Sequence, residues 1–359
     1  GCQRFRTQSE QRTCVETLIT GPARRFFRRP LTDDEASRLR SRFSQWQAQS
    51  DFTGACQLLL EWLLQCPQFV YRPETESTFD GYARATRLAL LVWNSVPDDA
   101  LLTAAANHEL DTREGLVRHA QSMMRDRRFQ RTLLDFHRQW LNLDRLLLDE
   151  HDHRTADIDP GWSAATQRAA LAESERFLTY ALFDDATLTT LLTSRRAWLD
   201  AETAPRYGVS LDRSPEVLLP EGQRAGILTR LAFLASSSHP GTTSPPIRGN
   251  LVNLRLLCRQ PNPPPPELDT SLPRPDGGPQ TTRQLFEART AGRVCAGCHR
   301  SLNGFGFGFE HYSASGQWRT DEHGLPIDAT GSLWGTDLDG PFTGALELSK
   351  DGIRVNAIA

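Results

Sequence analysis

Lysine is almost absent from this 359-residue chain: Lys350 is the single example, so the 41 basic residues are nearly all arginine. Such a skew reads as a genomic composition bias rather than as an activity. It obliges every buried ion pair to use the planar two-pronged guanidinium, which suits carboxylates. Methionine is scarce as well, with only Met123 and Met124. An excess of one charge is also missing. The formal net charge is -3, which gives no electrostatic case for nucleic acid. Long apolar runs are lacking too: the best, Leu58–Leu64, is interrupted by Glu61, so no transmembrane segment is expected. Gly1 is not a start methionine and no leader pattern precedes it, so the chain is expected to be processed or to begin within a longer protein. What remains, 38% hydrophobic and 24% charged residues, describes a globular protein with ample chain for a core.

Against this plain background stands Cys295-Ala296-Gly297-Cys298-His299. C-x-x-C-H is the attachment pattern of a c-type haem, in which two thiols bond the porphyrin edge and the next histidine supplies an axial nitrogen. Chance would produce the pattern in about three of a thousand chains of this composition. A thioredoxin-like pair would want a βαβ pattern around it, and a structural zinc site a second ligand pair at matching spacing; neither is present in the sequence. One covalent haem c is therefore expected, held by Cys295, Cys298 and His299.

Covalent haem attachment takes place outside the cytoplasm, where disulfides persist. The remaining cysteines are Cys2, Cys14, Cys56, Cys66 and Cys258. At least one disulfide is expected, with Cys2/Cys14 and Cys56/Cys66 the nearest pairs, against the alternative of ordinary buried thiols.

From about Gly21 to Phe233 the chain reads as helices. Thr32 and Glu35 form a capping box, with Leu39, Phe43 and Trp46 following at helical spacing. Further helices are expected over Thr53–Leu64, Tyr82–Trp93, from Ser95–Asp99 and Thr112, over Pro160–Phe183 and over Ala225–Ala235. Phe129–Leu147 reads as one long amphipathic helix with Leu133, Phe136, Trp140, Leu143 and Leu147 on its apolar face. Met123 and Met124 sit mid-helix and are expected in the core, although a thioether can bind iron. Residues 236–246 read as an ordered loop over the helical body, and residues 261–279, with Pro263–Pro266, as a stiff polyproline connector. A short helix over Thr282–Thr290 then leads into the haem motif. Beyond it, Gly304–Phe309 alternates strictly. Extended, it would line Phe305, Phe307 and Phe309 along one face to shield a porphyrin; the alternative is a glycine-rich turn. Asp328, Asp337 and Asp339 read as turns rather than a calcium site, and Glu150–His153 as a solvated loop rather than a metal patch.

These stretches together resemble the large planctomycete-type cytochrome c proteins, whose conserved domains carry "unknown function" names. Residues 24–32 look like their first helical module. Residues 66–72, 93–99 and 135–141 are similar to their central module. Residues 237–249, the proline run, Cys295–His299, residues 306–310 and 316–319 are similar to their haem module. The short helical module that usually follows is absent, and Gly352–Ala359 fits poorly. The resemblance implies a mainly α protein, a multi-helix body followed by a small cytochrome c-like haem domain. Its expected divisions are 1–50, 51–235, 236–348 and an atypical tail 349–359.

His299 is the expected proximal ligand of the iron. For the opposite position His239 is the first candidate and His311 the second, with Met123 or Met124 more remote. Arg248, Arg300 and above all Arg319 are candidates for the haem propionates. The function expected is electron transfer outside the cytoplasm, periplasmic or at the cell surface. The large helical part would dock a redox partner in a hetero-oligomeric assembly. The alternatives are a haem-dependent or haem-coupled oxidoreductase, and a subunit in which haem merely staples the fold.

Overall fold

Residues 7–72, 80–148, 159–261 and 278–354 are described by a computed structural model, and the chain divides into two units, Gly1–Leu133 and Leu134–Ala359. The first unit opens with helices α1 (Gln8–Thr20), α2 (Pro22–Phe27), α3 (Asp33–Gln49), α4 (Phe52–Gln65) and the single turn α5 (Pro67–Val70). Thr32 caps α3 as its spacing predicts. Its hydroxyl accepts from the Glu35 N–H, and the Glu35 carboxylate accepts from the Thr32 N–H. The Arg29 guanidinium closes on the same carboxylate and, with burial opposing it, holds the Glu35 pKa down at about 2. Val15 and Ile19, Leu39 and Phe43, and Leu59 and Leu63 are pairs four residues apart. Each pair shares one helix face, and together they build a common apolar cluster.

Another cluster of this unit gathers Ala85, Ala89 and Trp93 of α6 (Gly81–Trp93), Leu101 of α7 (Asp99–Ala106) and Met123 of α8 (Arg113–Met123). Asp80, Asp98 and Thr112 cap the three helices through their side-chain oxygens. Met123 is buried there, while Met124 is half exposed.

Of the two nearest pairs for the expected disulfide, Cys56/Cys66 is not bonded, and the six described cysteines are thiols. Cys56 lies in α4 and Cys66 caps its C-terminus. Ten residues of helix separate their Cα atoms by about 15 Å, more than twice what a disulfide spans. Cys2, and with it the Cys2/Cys14 pair, lies outside the described residues.

The long helix expected over Phe129–Leu147 is two pieces. α9 (Arg127–Trp140) stops, Asn142 takes the left-handed conformation at φ 57°, and a 3-10 turn covers Leu143–Leu147. Asparagine tolerates that conformation at little cost. The break rotates the apolar stripe beyond it, so Leu147 is exposed while Leu143 and Leu146 are buried; within α9 itself Phe136 is exposed.

α10 (Ala164–Thr179) is capped by Ser163 and relaxes into a π turn over Tyr180–Asp184. α11 (Leu188–Thr193), an antiparallel hairpin of β1 (Arg196–Trp198) and β2 (Glu216–Leu218), and α12 (Leu231–Ser236) follow. Then come α13 (Pro245–Leu251), α14 (Thr282–Thr290), and α15 (Arg293–Phe307). The hairpins β3 (Asp321–Glu322)/β4 (Leu325–Pro326) and β5 (Thr330–Leu333)/β6 (Gly340–Thr343) lead into α16 (Gly344–Arg354). One apolar cluster runs from Leu141 through Trp162, Phe177 and Phe233 to Phe305, Phe309 and Leu348.

The segment 236–246 is only partly a loop over the body: Pro240 is exposed and His239 half buried, but its first residues are inside. Ser236, Ser237 and Ser238 are fully buried, and their hydroxyls donate to the Phe233 and Leu234 carbonyls at the end of α12. Those carbonyls have no partner within the helix, and the serines supply one. Pro245 then takes the first position of α13, where its missing N–H costs nothing. Pro263–Pro266, Glu150–His153 and the last residues of the tail lie outside the described residues.

Arginine scarcely needs lysine's help in this interior. Arg230 and Glu173 form a fully buried pair, and Tyr207 donates to Glu173 at 3.0 Å while accepting from the Leu231 N–H. Arg224 donates to the Thr229 and Gly316 carbonyls. Each buried guanidinium is met by oxygens, as burial of charge requires.

Candidate functional site

Cys295, Cys298 and His299 all lie on α15, at positions i, i+3 and i+4, which share one helix face. The capping box Thr281/Gln284 starts α14, and Gly292 separates it from α15, so the motif sits on a helix rather than in a loop. Its first two turns are half exposed or exposed, whereas Asn303 onward is buried. The three expected ligands are therefore presented on a partly open face of a helix whose far end is locked in the core.

What locks that end is glycine, and not in the way the alternation predicts. Gly304–Phe309 is not extended: it is the last turn of α15 and the turn after it. Phe305 and Phe309 enter the core four residues apart, with the Phe309 ring 6.2 Å from Phe233. Phe307 lies under the Arg283 guanidinium, 4.5 Å away. An added Cβ at Gly306 would stand 2.7 Å from the Pro245 Cα and closer still to its carbonyl; one at Gly249 would meet the Leu302 carbonyl. The glycines thus let α13 and α15 cross backbone to backbone. Tertiary packing has overridden the two-residue period.

His299 is held from behind. Its Nδ1 is 3.0 Å from Asn303 Oδ1, Asn303 Nδ2 donates to Thr290 Oγ1 at 3.0 Å, and the Thr290 hydroxyl donates to the Phe286 carbonyl at 2.6 Å. Beside it opens a cavity of about 460 Å³. Ala296, His299, Arg300, Asn303 and Phe307 line it from α15, and Thr330, Gly331 and Ser332 line it from β5. This is the stripe next to the cysteine face, and His299 belongs to both. Arg283 at the rim is tied to Glu287 and to the Thr330 carbonyl, and Arg300 lies over the Trp334 ring.

The other expected site residues are dispersed. His239 is half buried, its backbone paired with Thr242, and burial together with the Arg145 charge lowers its pKa. His311 stacks on Trp318 at 4.7 Å, with Nδ1 on the Arg319 carbonyl at 3.0 Å. Neither lines the cavity. Arg319 bridges Glu310 and Glu322 and donates to the Glu310 carbonyl. Burial works to raise the Glu322 pKa, but Arg319 and the Thr282 donors bring it below its usual value.

Arg248 is no surface charge awaiting a propionate. It is fully buried and donates to the Phe309, Tyr312 and Ser313 carbonyls and to Ser238 Oγ. Burial drops its pKa to about 10, with Glu310 resisting. Asp328 pairs with Arg283, and Asp339 accepts from the Thr336 N–H, so both serve turns. Among the described residues no group of three or more His, Cys, Asp or Glu side chains is placed to hold a metal ion. Sequence reading passed over Asn303 and Thr290, although an asparagine four residues after a helical histidine was a signal for the first.

A mainly helical chain with a C-x-x-C-H sequence on the open face of a buried-ended helix defines the class. Three family models match it in succession. PSD5, protein of unknown function (DUF1595), covers residues 14–74. PSD4, protein of unknown function (DUF1592), covers 79–209, and PSCyt3, protein of unknown function (DUF1588), covers 224–322. The chain belongs to the planctomycete cytochrome c-associated proteins that these domains of unknown function make up. No curated protein and no solved structure matches it.

Proposed function

We propose that this chain carries one haem c, bonded to Cys295 and Cys298 with His299 on the iron, and transfers electrons outside the cytoplasm as part of a larger assembly. The observation that carries the reading is the arrangement on α15. Two thiols and an imidazole share one half-exposed face, and the histidine's inner nitrogen is already satisfied by Asn303. The third family model, whose printed name refers to a cytochrome, spans this motif. The bound haem would supply reversible one-electron chemistry at iron.

The chain's own part is to hold and shield that group. α15 keeps the three ligands on one face, and the α13–α15 crossing fixes the helix in the core. Phe307 and the β5 backbone keep one flank apolar. His239 or His311 would be the further protein residue to hold the iron, and replacing each with alanine would distinguish them by the change in the haem spectrum. Among the described residues no helix is long and apolar enough to cross a membrane. The helical body is read as the docking platform for a redox partner.

One observation favours an enzyme instead. The cavity beside His299 lies within the size range of small-molecule sites. Carbon monoxide and potentiometry separate the readings. Electron transfer predicts a reversible one-electron titration and no carbonyl adduct of the reduced protein. A rapid adduct would favour ligand chemistry at iron, and a redox-silent haem would sink both readings.

A further inference from the structure

The hydrogen-bond chain behind His299 has only one possible direction. Its last member is a backbone carbonyl, Phe286 O, which can accept but not donate. The Thr290 hydroxyl therefore gives its proton to that carbonyl, and its oxygen accepts from the Asn303 side chain. A hydroxyl spent in this way must be faced by the amide NH₂ of Asn303, which leaves Oδ1 toward the histidine. Oδ1 can only accept, so the 3.0 Å contact with His299 requires the proton on Nδ1. The neutral ring then carries its lone pair on Nε2.

We infer that Asn303, anchored through Thr290 on the Phe286 carbonyl, is a positioning residue that locks His299 as the Nδ1–H tautomer and presents Nε2 as the ligand nitrogen. The inference rests on the haem reading above and adds residues that the C-x-x-C-H pattern does not contain. Asn303 is 5% exposed and has both polar atoms engaged, so it is built for this geometry rather than for solvent. A histidine that donates its second N–H to an acceptor is a more basic ligand, and such partners carry large effects on the metal site. More electron density at iron favours the ferric form. Asn303 and Thr290 therefore hold the reduction potential below the value a bare imidazole would give.

The test uses the holoprotein and three variants, Asn303→Leu, Asn303→Asp and Thr290→Val. Covalent haem retention is checked first in each. Asn303→Leu removes the acceptor and is expected to favour ferrous iron about tenfold, an upward shift of about 59 mV for one electron. Asn303→Asp offers a stronger acceptor and moves the potential down. Thr290→Val frees the amide to turn and gives a smaller upward shift; it also stands in if Asn303→Leu fails to fold. Retained haem with all potentials unchanged, or shifted in one direction regardless of substitution, overturns the inference, and the uncharged Thr290→Val variant separates loss of the hydrogen bond from the added charge of aspartate.

If the wild-type chain retains no covalent haem, it is the haem reading that fails. The tautomer is then read from ¹⁵N histidine shifts of the full-length chain at mildly alkaline pH. Nδ1–H on His299, lost in Thr290→Val, supports the lock, and an Nε2–H ring overturns it.

Discussion

Two glycines of α15 should respond to alanine with opposite sign. Gly297 and Gly306 both lie inside the helix, so each Gly→Ala change gains about 1 kcal/mol of helix propensity. At Gly297 an added Cβ meets nothing within 4 Å, and that gain survives whole. At Gly306 the Cβ would stand 2.7 Å from the Pro245 Cα, against backbone that cannot rotate away. Overpacking costs typically about 1–3 kcal/mol and occasionally more, and a backbone clash belongs at the upper end. The net for Gly306→Ala is a loss of about 2 kcal/mol. For a unit of this size 1 kcal/mol moves Tm by about 2–4 °C. Gly297→Ala should therefore raise the transition of the second unit by about 2–4 °C, and Gly306→Ala lower it by about 4–8 °C. Thermal unfolding of both variants beside the parent decides the matter. Shifts of the same sign, or a neutral Gly306→Ala, would refute the close crossing of α13 and α15 as the reason for the glycine.

Glu35 titrates at about 2 in the folded chain, and its ordinary value is 4.5. The unfolded chain takes up that proton first, so the stabilisation is complete above about pH 4.5 and fades as pH falls toward 2. With the Arg29 side chain 37% exposed, solvent screening leaves about 1 kcal/mol, and Glu35→Gln should flatten that limb of the stability–pH curve. Glu173→Gln leaves Arg230 buried without its counter-charge and should cost about 3–5 kcal/mol in urea unfolding. A loss under 1 kcal/mol would mean that water reaches the pair. The Asn303 and Thr290 variants add a fourth expectation, potentials that move in opposite directions for leucine and aspartate.

Helices α3, α4, α6, α7 and α8 of the first unit were legible because their signals are local, whereas α1 lies before the stretch read as helical. Thr32, Asp98 and Thr112 announce their caps, and pairs such as Leu39/Phe43 mark a buried face without any knowledge of partners. α14 was legible end to end for the same reason. What could not be read depended on distant chain. The Gly/Phe alternation after the C-x-x-C-H sequence has a strand's period, yet it is helical because α13 needs bare backbone to pack against. The three serines at the end of α12 have loop composition, but a buried helix end claims their hydroxyls. Arg248 carries no local sign of burial, and only the fold brings the Phe309, Tyr312 and Ser313 carbonyls to it. At the candidate site, the C-x-x-C-H pattern drew attention to Cys295, Cys298 and His299, while Asn303 joined the hydrogen bonds around His299 only when α14 placed Thr290 beside it.

The central claim is that the open face of α15 binds haem covalently. Its most direct measurement is the alkaline pyridine haemochrome spectrum of acid–acetone-extracted protein, run beside Cys295→Ser/Cys298→Ser. A c-type spectrum that stays with the polypeptide and vanishes in the double variant is the predicted result. Polypeptide stripped of all haem by the extraction would contradict the account and leave His299 and its hydrogen-bond chain without an iron to hold.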